Sequence, residues 1–301
     1  MNKPLVSVII PTYGRSDLIK RSIESVLNQT YSNIELIVVD DNGEGTPDQL
    51  LTKEQIKEYS SINYIVHKNN QNGAIARNTG IEASKGDYIC FLDDDDYFMP
   101  EKIELQMKRI SGTNYGACLC SHIKHDEEAN KETQTIVKLS ENYLDDLLYY
   151  KVDACSGSTL LIKKNICKQV GGFNPNLHRR QDYNFLFKVA VVTEIVSIDY
   201  FGCVIRKHFN MGILTNYKIM KENYLYFYNE LKKTISSLPK KTQKKYLQAS
   251  NYGFMKECLH CKFFIHSIIW FYKSGCILKT FSKMLGDFFN YKKRISFQDK
   301  K

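Results

Sequence analysis

Within the first hundred residues, short runs rich in β-branched residues alternate with stretches of helical periodicity. The runs are LVSVII (5–10), IELIVV (34–39), INYIV (62–66) and YICFL (88–92), each bounded by Pro, Asn, Asp or Gly. That is the pattern of strands buried on both faces. Strands that alternate with helices form βαβ units, and right-handed crossovers then impose a mostly parallel sheet with helices on its faces. Ser16 is the expected N-cap of a first helix, with Leu18, Ile19, Ile23, Val26 and Leu27 on one face. A second helix is expected over GAIARNTGIEASKG, stopped by Gly86. The fold class is α/β, and no internal repeat is present.

In open sheets of this kind, ligands bind beyond the carboxyl ends of the strands. Thr12 follows the first run, Asp40 and Asp41 the second, and Asp93, Asp94, Asp95 and Asp96 the fourth, so three strands deliver polar groups to one edge. An acid after the second strand can accept hydrogen bonds from a ribose or a base. The first turn, PTYGRSD, lacks the G-x-G-x-x-G that lets a backbone approach a pyrophosphate, which argues against a dinucleotide. A divalent cation on clustered carboxylates is the substitute way to neutralise a diphosphate. Four adjacent carboxylates repel one another, and a cation gives their concentration a purpose. Alternation along an extended segment would point Asp93 and Asp95 at one ligand. A solvated acidic turn is the competing reading.

At 301 residues and 43% hydrophobic content, the chain can bury a full core as one large domain, alone or with an extension. The start resembles a strand more than a signal peptide, and no run reaches the length of a spanning helix. Nine cysteines, including Cys90, Cys118 and Cys203 in apolar segments, suit reduced core residues of a cytoplasmic protein. The net charge of +9 is uneven: residues 217–301 hold 18 Lys and Arg against 5 Asp and Glu, leaving −4 for residues 1–216. The expected boundary therefore lies near residue 216, with a basic, aromatic-rich helical region (217–301) after it. Cys258-x-x-Cys261, with His260 and His266 nearby, lacks a second ligand pair for zinc, since Cys276 stands alone. Amphipathic helices that pack on protein or lie on an anionic membrane surface suit the tail better. Nucleic acid is the competing partner for a basic tail, but no nucleic-acid module is recognisable and bulky apolar residues are too dense for a solvated phosphate-binding arm, so no nucleic-acid partner is expected.

Four fragments carry a resemblance: VSVIIPTYGR, SVLNQTYSNIELIVVDDN, NGAIARNTGIEASKGDYICFLDDDD and GGFNPNLHRRQDYNFLFKV. In order and spacing over about residues 5–210 they resemble the family 2 glycosyltransferases, inverting enzymes with a GT-A fold, of the bacterial surface-polysaccharide type. The resemblance implies a Rossmann-like sheet flanked by helices in residues 1–216. It also implies a UDP-sugar donor and a Mn²⁺ or Mg²⁺ cofactor. Thr12 and Asp41 would hold the uracil and ribose side, and Arg77 would contact the nucleotide. Asp93 and Asp95 would match the family's D-x-D, Asp95 on the metal and Asp93 near the ribose or sugar. Asp94 would be the variable middle position on the nucleotide-sugar side, and Asp96 a capping or supporting residue. His208, in CVIRKHFNMG, would be a late ligand to the metal or diphosphate.

Asp182 would be the catalytic base. A single inverting displacement needs one carboxylate to take the acceptor proton, and the family's Glu-Asp pair here reads Gln181–Asp182. A helix N-terminal acid favoured by the macrodipole is the competing reading of Asp182. Gly157, Ser158 and Gly171–Gly172–Phe173 would shape the acceptor side, where glycine permits close backbone approach. The expected function is a metal-dependent inverting transfer of a hexose or N-acetylhexosamine to a glycan or lipid-linked glycan, peripheral to the membrane, with a homo-oligomer as an open state. The alternatives are a non-catalytic nucleotide- or glycan-binding scaffold and, with PTYGRSD a poor match to its loop, a sugar nucleotidyltransferase.

Overall fold

The computed structural model describes residues 3–148, 152–153, 157–206, 216–261 and 263–275. In the first third, β1 (Val6–Thr12), α1 (Ile19–Leu27), β2 (Ile34–Asp40), α2 (Pro47–Ile56), β3 (Ile62–Val66), α3 (Gly73–Ala83) and β4 (Tyr88–Phe91) alternate as expected. The chain continues through β5 (Tyr97–Phe98), α4 (Lys102–Ile110), β6 (Ala117–Asp126), β7 (Lys131–Thr135), α5 (Tyr143–Leu148) and a 3₁₀ turn at Gly157–Thr159. Then come β8 (Leu160–Lys163), α6 (Lys164–Gln169), α7 (Gln181–Val192), β9 (Ile195–Arg206), α8 (Tyr217–Thr234), α9 (Lys240–His260) and α10 (Phe264–Ser274).

The sheet runs β3-β2-β1-β4-β8-β6-β9-β5, with β7 paired to the second half of β6, beyond the part that β8 pairs. β3, β2, β1 and β4 are mutually parallel, and β9 is parallel to β6. β8 runs antiparallel to both β4 and β6, as β5 does to β9. Thr12 pairs with Asp40 and Asp40 with Val66, so the carboxyl ends of the first three strands are level. β-branched residues fill both faces. Ile9, Ile37, Ile89 and Phe91 enter one apolar cluster, while Val8, Ile10, Val38 and Cys90 enter the other. Such two-sided burial is why these strands read as continuous apolar runs. Cys90, Cys118 and Cys203 are free and fully buried.

Local details differ from the expectation. α1 begins at Ile19, after a turn in which the Leu18 N–H bonds to the Arg15 carbonyl, so Ser16 does not cap it. Leu27 is exposed rather than inward. α3 ends at Ser84 before Gly86, which instead lets the chain press on β1: a Cβ there would lie 2.7 Å from the Leu5 carbonyl. Asn216 caps α8, accepting from the Lys218 and Ile219 N–H groups. Three helices follow it, and Tyr224, Phe227, Phe254 and Trp270 join the same apolar cluster as Ile9 and Phe185. No helix among the described residues is long and apolar enough to cross a membrane.

α3 lies close to β1 because Gly80 has no side chain. A Cβ on Gly80 would stand 2.3 Å from Ile9 Cγ2, inside a core without room to yield. Gly80→Ala should therefore cost about 1–3 kcal/mol through overpacking. Urea denaturation would measure it; a midpoint equal to that of the unsubstituted protein would mean that α3 does not press on β1.

Candidate active site

The acidic run is a tight turn, with the Asp96 N–H bonded to the Asp93 carbonyl at 3.0 Å. It is not the extended segment expected, and it sorts the carboxylates differently. Asp93, Asp95 and Asp96 converge, offering oxygens that all lie within 4.8 Å of one another. Asp94 turns the other way and is fully buried. Its carboxylate takes an Arg15 Nη2 contact at 2.6 Å and the Tyr13 N–H at 3.3 Å. Arg15 is forked, with Nη1 on Asp95 Oδ2 at 2.6 Å. Burial pushes the Asp94 carboxyl up to about 6, against Arg15 and the Thr12 hydroxyl.

Asp96 is more than a supporting residue at the edge of the turn. The Ser158 hydroxyl donates to its Oδ2 at 2.6 Å and the Arg206 N–H to its Oδ1 at 3.0 Å. Burial, then repulsion from Asp93 and Asp95, holds its carboxyl well above the usual carboxylate range. Ser158 also accepts the Asp93 N–H at 3.3 Å, so this buried serine supports the acidic turn directly. The turn is fastened to α1 by the Ser22 hydroxyl, which reaches the carbonyls of Asp94 and Asp96, and by Arg21, which donates to the Asp95 carbonyl at 2.7 Å.

On the β2 side, Asp41 is the hub of the loop that enters α3. Its Oδ1 meets His67 Nδ1 at 2.7 Å and accepts the Gln71 N–H at 2.8 Å. Its Oδ2 accepts Asn70 Nδ2 at 2.9 Å and the Asn72 N–H at 2.8 Å. Asn72 adopts a left-handed conformation, φ 91°, and caps α3 by accepting from the Ala74 and Ile75 N–H groups. Thr12, at the end of β1, is 2% exposed beside Asp94.

Arg77 on α3 joins the acidic turn to α7. Its Nη2 lies 2.5 Å from Asp93 Oδ1, and its guanidinium sits 5.5 Å from the Phe173 ring centre. Burial disfavours the Arg77 charge, but Asp93, Asp182 and Asp94 outweigh that cost and raise its pKa. Asp182 lies in the first turn of α7. Burial pushes its carboxyl up to about 6; the Tyr183 N–H and then Arg77 oppose the rise, while Asp93 adds to it. Phe173 stacks on Phe185 with centroids 4.2 Å apart. The turn before it uses left-handed Gly171 and Gly172, and a Cβ on Gly172 would strike the Asn78 side chain.

The structure thus gathers Thr12, Asp41, Arg77, Asp93, Asp94, Asp95 and Asp182 at the carboxyl edge of the sheet. His208 lies outside the described residues, as does Cys276. Arg15 is not legible as a site residue in the sequence; Ser158, expected on the acceptor side, holds the acidic turn instead, and Asp96, expected to support the turn, is its third converging acid. Arg15 stands 79 residues before its first acidic partner, and only the adjacency of β1 and β4 brings them together. Three converging carboxylates are hard oxygen donors of the kind Mg²⁺ and Mn²⁺ take, so the residues fit such an ion.

The family model described as Glycosyl transferase family 2 matches residues 7–171. The Bacillus subtilis protein TuaG, named for teichuronic acid biosynthesis, is 32% identical over 181 residues, covering 60% of this chain and 69% of TuaG. The S. aureus TarS 1–349 structure in complex with UDP-GlcNAc superposes with a TM-score of 0.65 at 18% identity, covering 85% of this chain and 73% of that one. A mannosyltransferase from Pyrobaculum calidifontis, in complex with GDP-Man and Mn²⁺, gives a TM-score of 0.61 at 16% identity over 95% of this chain and 80% of that one. These likenesses show the GT-A-like fold. Against the first curated relatives it matches, the chain spans from 17% to 62% of their length.

Because one carboxylate gathers four donors from the α3 entry loop, Asp41→Ala should lower stability by about 1–3 kcal/mol, even without a ligand, by leaving the buried His67 unpaired and releasing the more exposed donors of Asn70, Gln71 and Asn72 to water. Chemical denaturation of the ligand-free protein measures this. An unchanged midpoint would show that the loop holds its shape without Asp41.

Proposed function

The chain belongs to glycosyl transferase family 2, and on that premise we propose that it transfers a hexose or N-acetylhexosamine from a UDP-sugar to a hydroxyl of a surface-glycan acceptor, with inversion. The observation that carries this reading is Arg77. One buried guanidinium touches the acid turn through Asp93 and acts electrostatically on Asp182, so the donor-side acids and the candidate base flank a single fixed charge. The UDP-GlcNAc complex of TarS supports the donor class, and the name of TuaG supports a surface polymer as product. The Mn²⁺ of the mannosyltransferase complex supports an ion at the acids.

Each residue has a role in this reading. Thr12 and the loop organised by Asp41 face the uracil and ribose. Asp93, kept in place by Arg77, stands near the ribose or sugar, and Asp94 acts through Arg15. Asp95, with Asp93 and Asp96 beside it, would hold the divalent cation. When bound, such an ion supplies charge neutralisation for the departing diphosphate. Asp182 takes the proton of the acceptor hydroxyl as that oxygen bonds to the anomeric carbon and the bond to the UDP oxygen breaks. Arg77 favours the ionised form of Asp182, which the reaction requires. The glycine turn and Phe173 set the wall between α3 and α7 against which Arg77 rests.

The base must be ionised to work. A carboxyl raised to about 6 is protonated below that pH, so the transfer rate should fall as pH drops through about 6 and level off above it. Asp182→Asn should lower turnover by about 10²–10⁴ and remove that limb from the residual rate, while UDP still binds. Calorimetry that finds UDP binding abolished in this variant would assign Asp182 a structural role instead.

Metal dependence is tested separately. With Asp95 as a cation ligand, Asp95→Asn should weaken Mn²⁺-dependent UDP binding by about tenfold or more and remove most UDP release from a screened UDP-sugar. Wild-type turnover with unchanged metal dependence would sink the assignment of the acidic turn. A chain that binds UDP but never turns over any UDP-sugar with acceptor or water would be a binding scaffold.

A further inference from the structure

The structure divides the apolar residues of α10 between two faces. Ser267, Trp270, Phe271 and Ser274 are buried. Trp270 donates its indole N–H to the Tyr217 hydroxyl at 3.0 Å and meets the Tyr224 and Phe254 rings edge-on at 5.1 and 5.0 Å. The other face carries Ile265, Ile268, Ile269 and Tyr272, exposed by 75, 45, 47 and 76%. Their spacing, i, i+3, i+4 and i+7, makes one continuous stripe along the helix. It contains no charged residue; exposed Lys273 lies beside it in the last turn, its ammonium 4.2 Å from the Trp270 ring centre.

Charge decides what such a stripe fits. Residues 217–301 carry a net +13, and the 26 residues after Gly275 alone hold seven Lys and Arg against two Asp. A second copy docking through this face would bring two strongly basic regions together, which like-charge repulsion opposes. A nucleic acid would satisfy the lysines but leave isoleucine and tyrosine against phosphates. An anionic bilayer satisfies both: acyl chains take the apolar stripe, and lipid phosphates attract Lys273 and the net positive charge of the region.

We propose that the outer face of α10 seats the protein on an anionic lipid bilayer, with Ile265, Ile268, Ile269 and Tyr272 entering the interface. The proposal deepens the transfer reading by giving its acceptor a location, since a lipid-linked glycan lies in the same plane. The seat is also tied to the chemistry. α10 folds back on α9, where the Asn251 side chain donates to the Lys273 carbonyl at 3.0 Å. Glu257 of α9 pairs with Arg180, two residues before Asp182. Docking α10 therefore fixes the orientation of the first turn of α7 relative to the membrane plane, which raises the local concentration of an acceptor held there.

The test is flotation of the full chain with phosphatidylglycerol-containing vesicles and with neutral phosphatidylcholine vesicles, at low and high salt. The protein should float with the anionic vesicles at low salt and largely stay behind with neutral ones. The double variant I265E/I269E should lose roughly tenfold or more in vesicle affinity, with melting temperature and UDP binding unchanged. The proposal is overturned if the protein ignores anionic vesicles at low salt, or if the double variant floats as well as the unsubstituted chain. It also fails if sedimentation reveals a dimer that the same variant dissolves, because a second copy would then cover the stripe. Vesicle binding is read without turnover, so a failure to transfer sugar would leave this result standing.

Discussion

Four consecutive aspartates at the end of a buried strand can persist only if their mutual repulsion is offset, and the architecture around them supplies the offset. Arg15 reaches back from the β1–α1 loop to Asp94 and Asp95, and Arg77 reaches from α3 to Asp93. Ser22 and Arg21 of α1 hold the backbone of the turn, while Ser158 and the Arg206 N–H hold Asp96. Structures separated by up to 110 residues in sequence thus meet at one turn of four. The charges that remain are concentrated on one side, where three carboxylates face a common point. Asp94, on the other side, serves by anchoring Arg15.

The same economy links that turn to Asp182. Arg77 is mostly covered between α3 and the Phe173 wall, its side chain 16% exposed, so its charge acts on both Asp93 and Asp182 with less screening than a surface arginine would have. On its far side, α7 starts at Arg180, held in a left-handed conformation with φ 60°, over the Tyr224 and Phe227 rings and paired with Glu257. The C-terminal helices consequently help set where α7 begins. A basic tail that looks like an appendage in composition is part of the scaffold that positions the candidate base. Its buried aromatic residues share one cluster with the sheet, and its outer stripe is left for another surface.

Asp41 shows how a residue type can be right for a role while its immediate duty is different. An acid after β2 suits a ribose or a base, yet in the ligand-free protein both carboxylate oxygens are engaged by the loop 67–72. The carboxylate converts a polar loop with Asn72 at positive φ into a defined entry to α3, the loop that the proposed function sets against the nucleotide. Likeness to TarS at 18% identity belongs to the same level of organisation: the fold persists where most individual side chains have changed.

The sequence by itself determined the elements whose signals are local. β-branched runs declared β1 to β4 because two-sided burial leaves no polar alternation, and the acids stood at strand ends because strand ends were legible. The motif order identified the family, and the charge asymmetry marked the tail. Only the tertiary structure decided what depends on distant partners. It made the acidic run a turn rather than an extension, brought in Asp96 and sent Asp94 to Arg15. It added an antiparallel half to the sheet, and it separated the inward Trp270 and Phe271 from the outward Ile265, Ile269 and Tyr272. The physical reason is common to all of these. Hydrophobic periodicity is written along the chain, whereas the pairing of a buried charge depends on whatever the packed sheet places within a few ångströms of it.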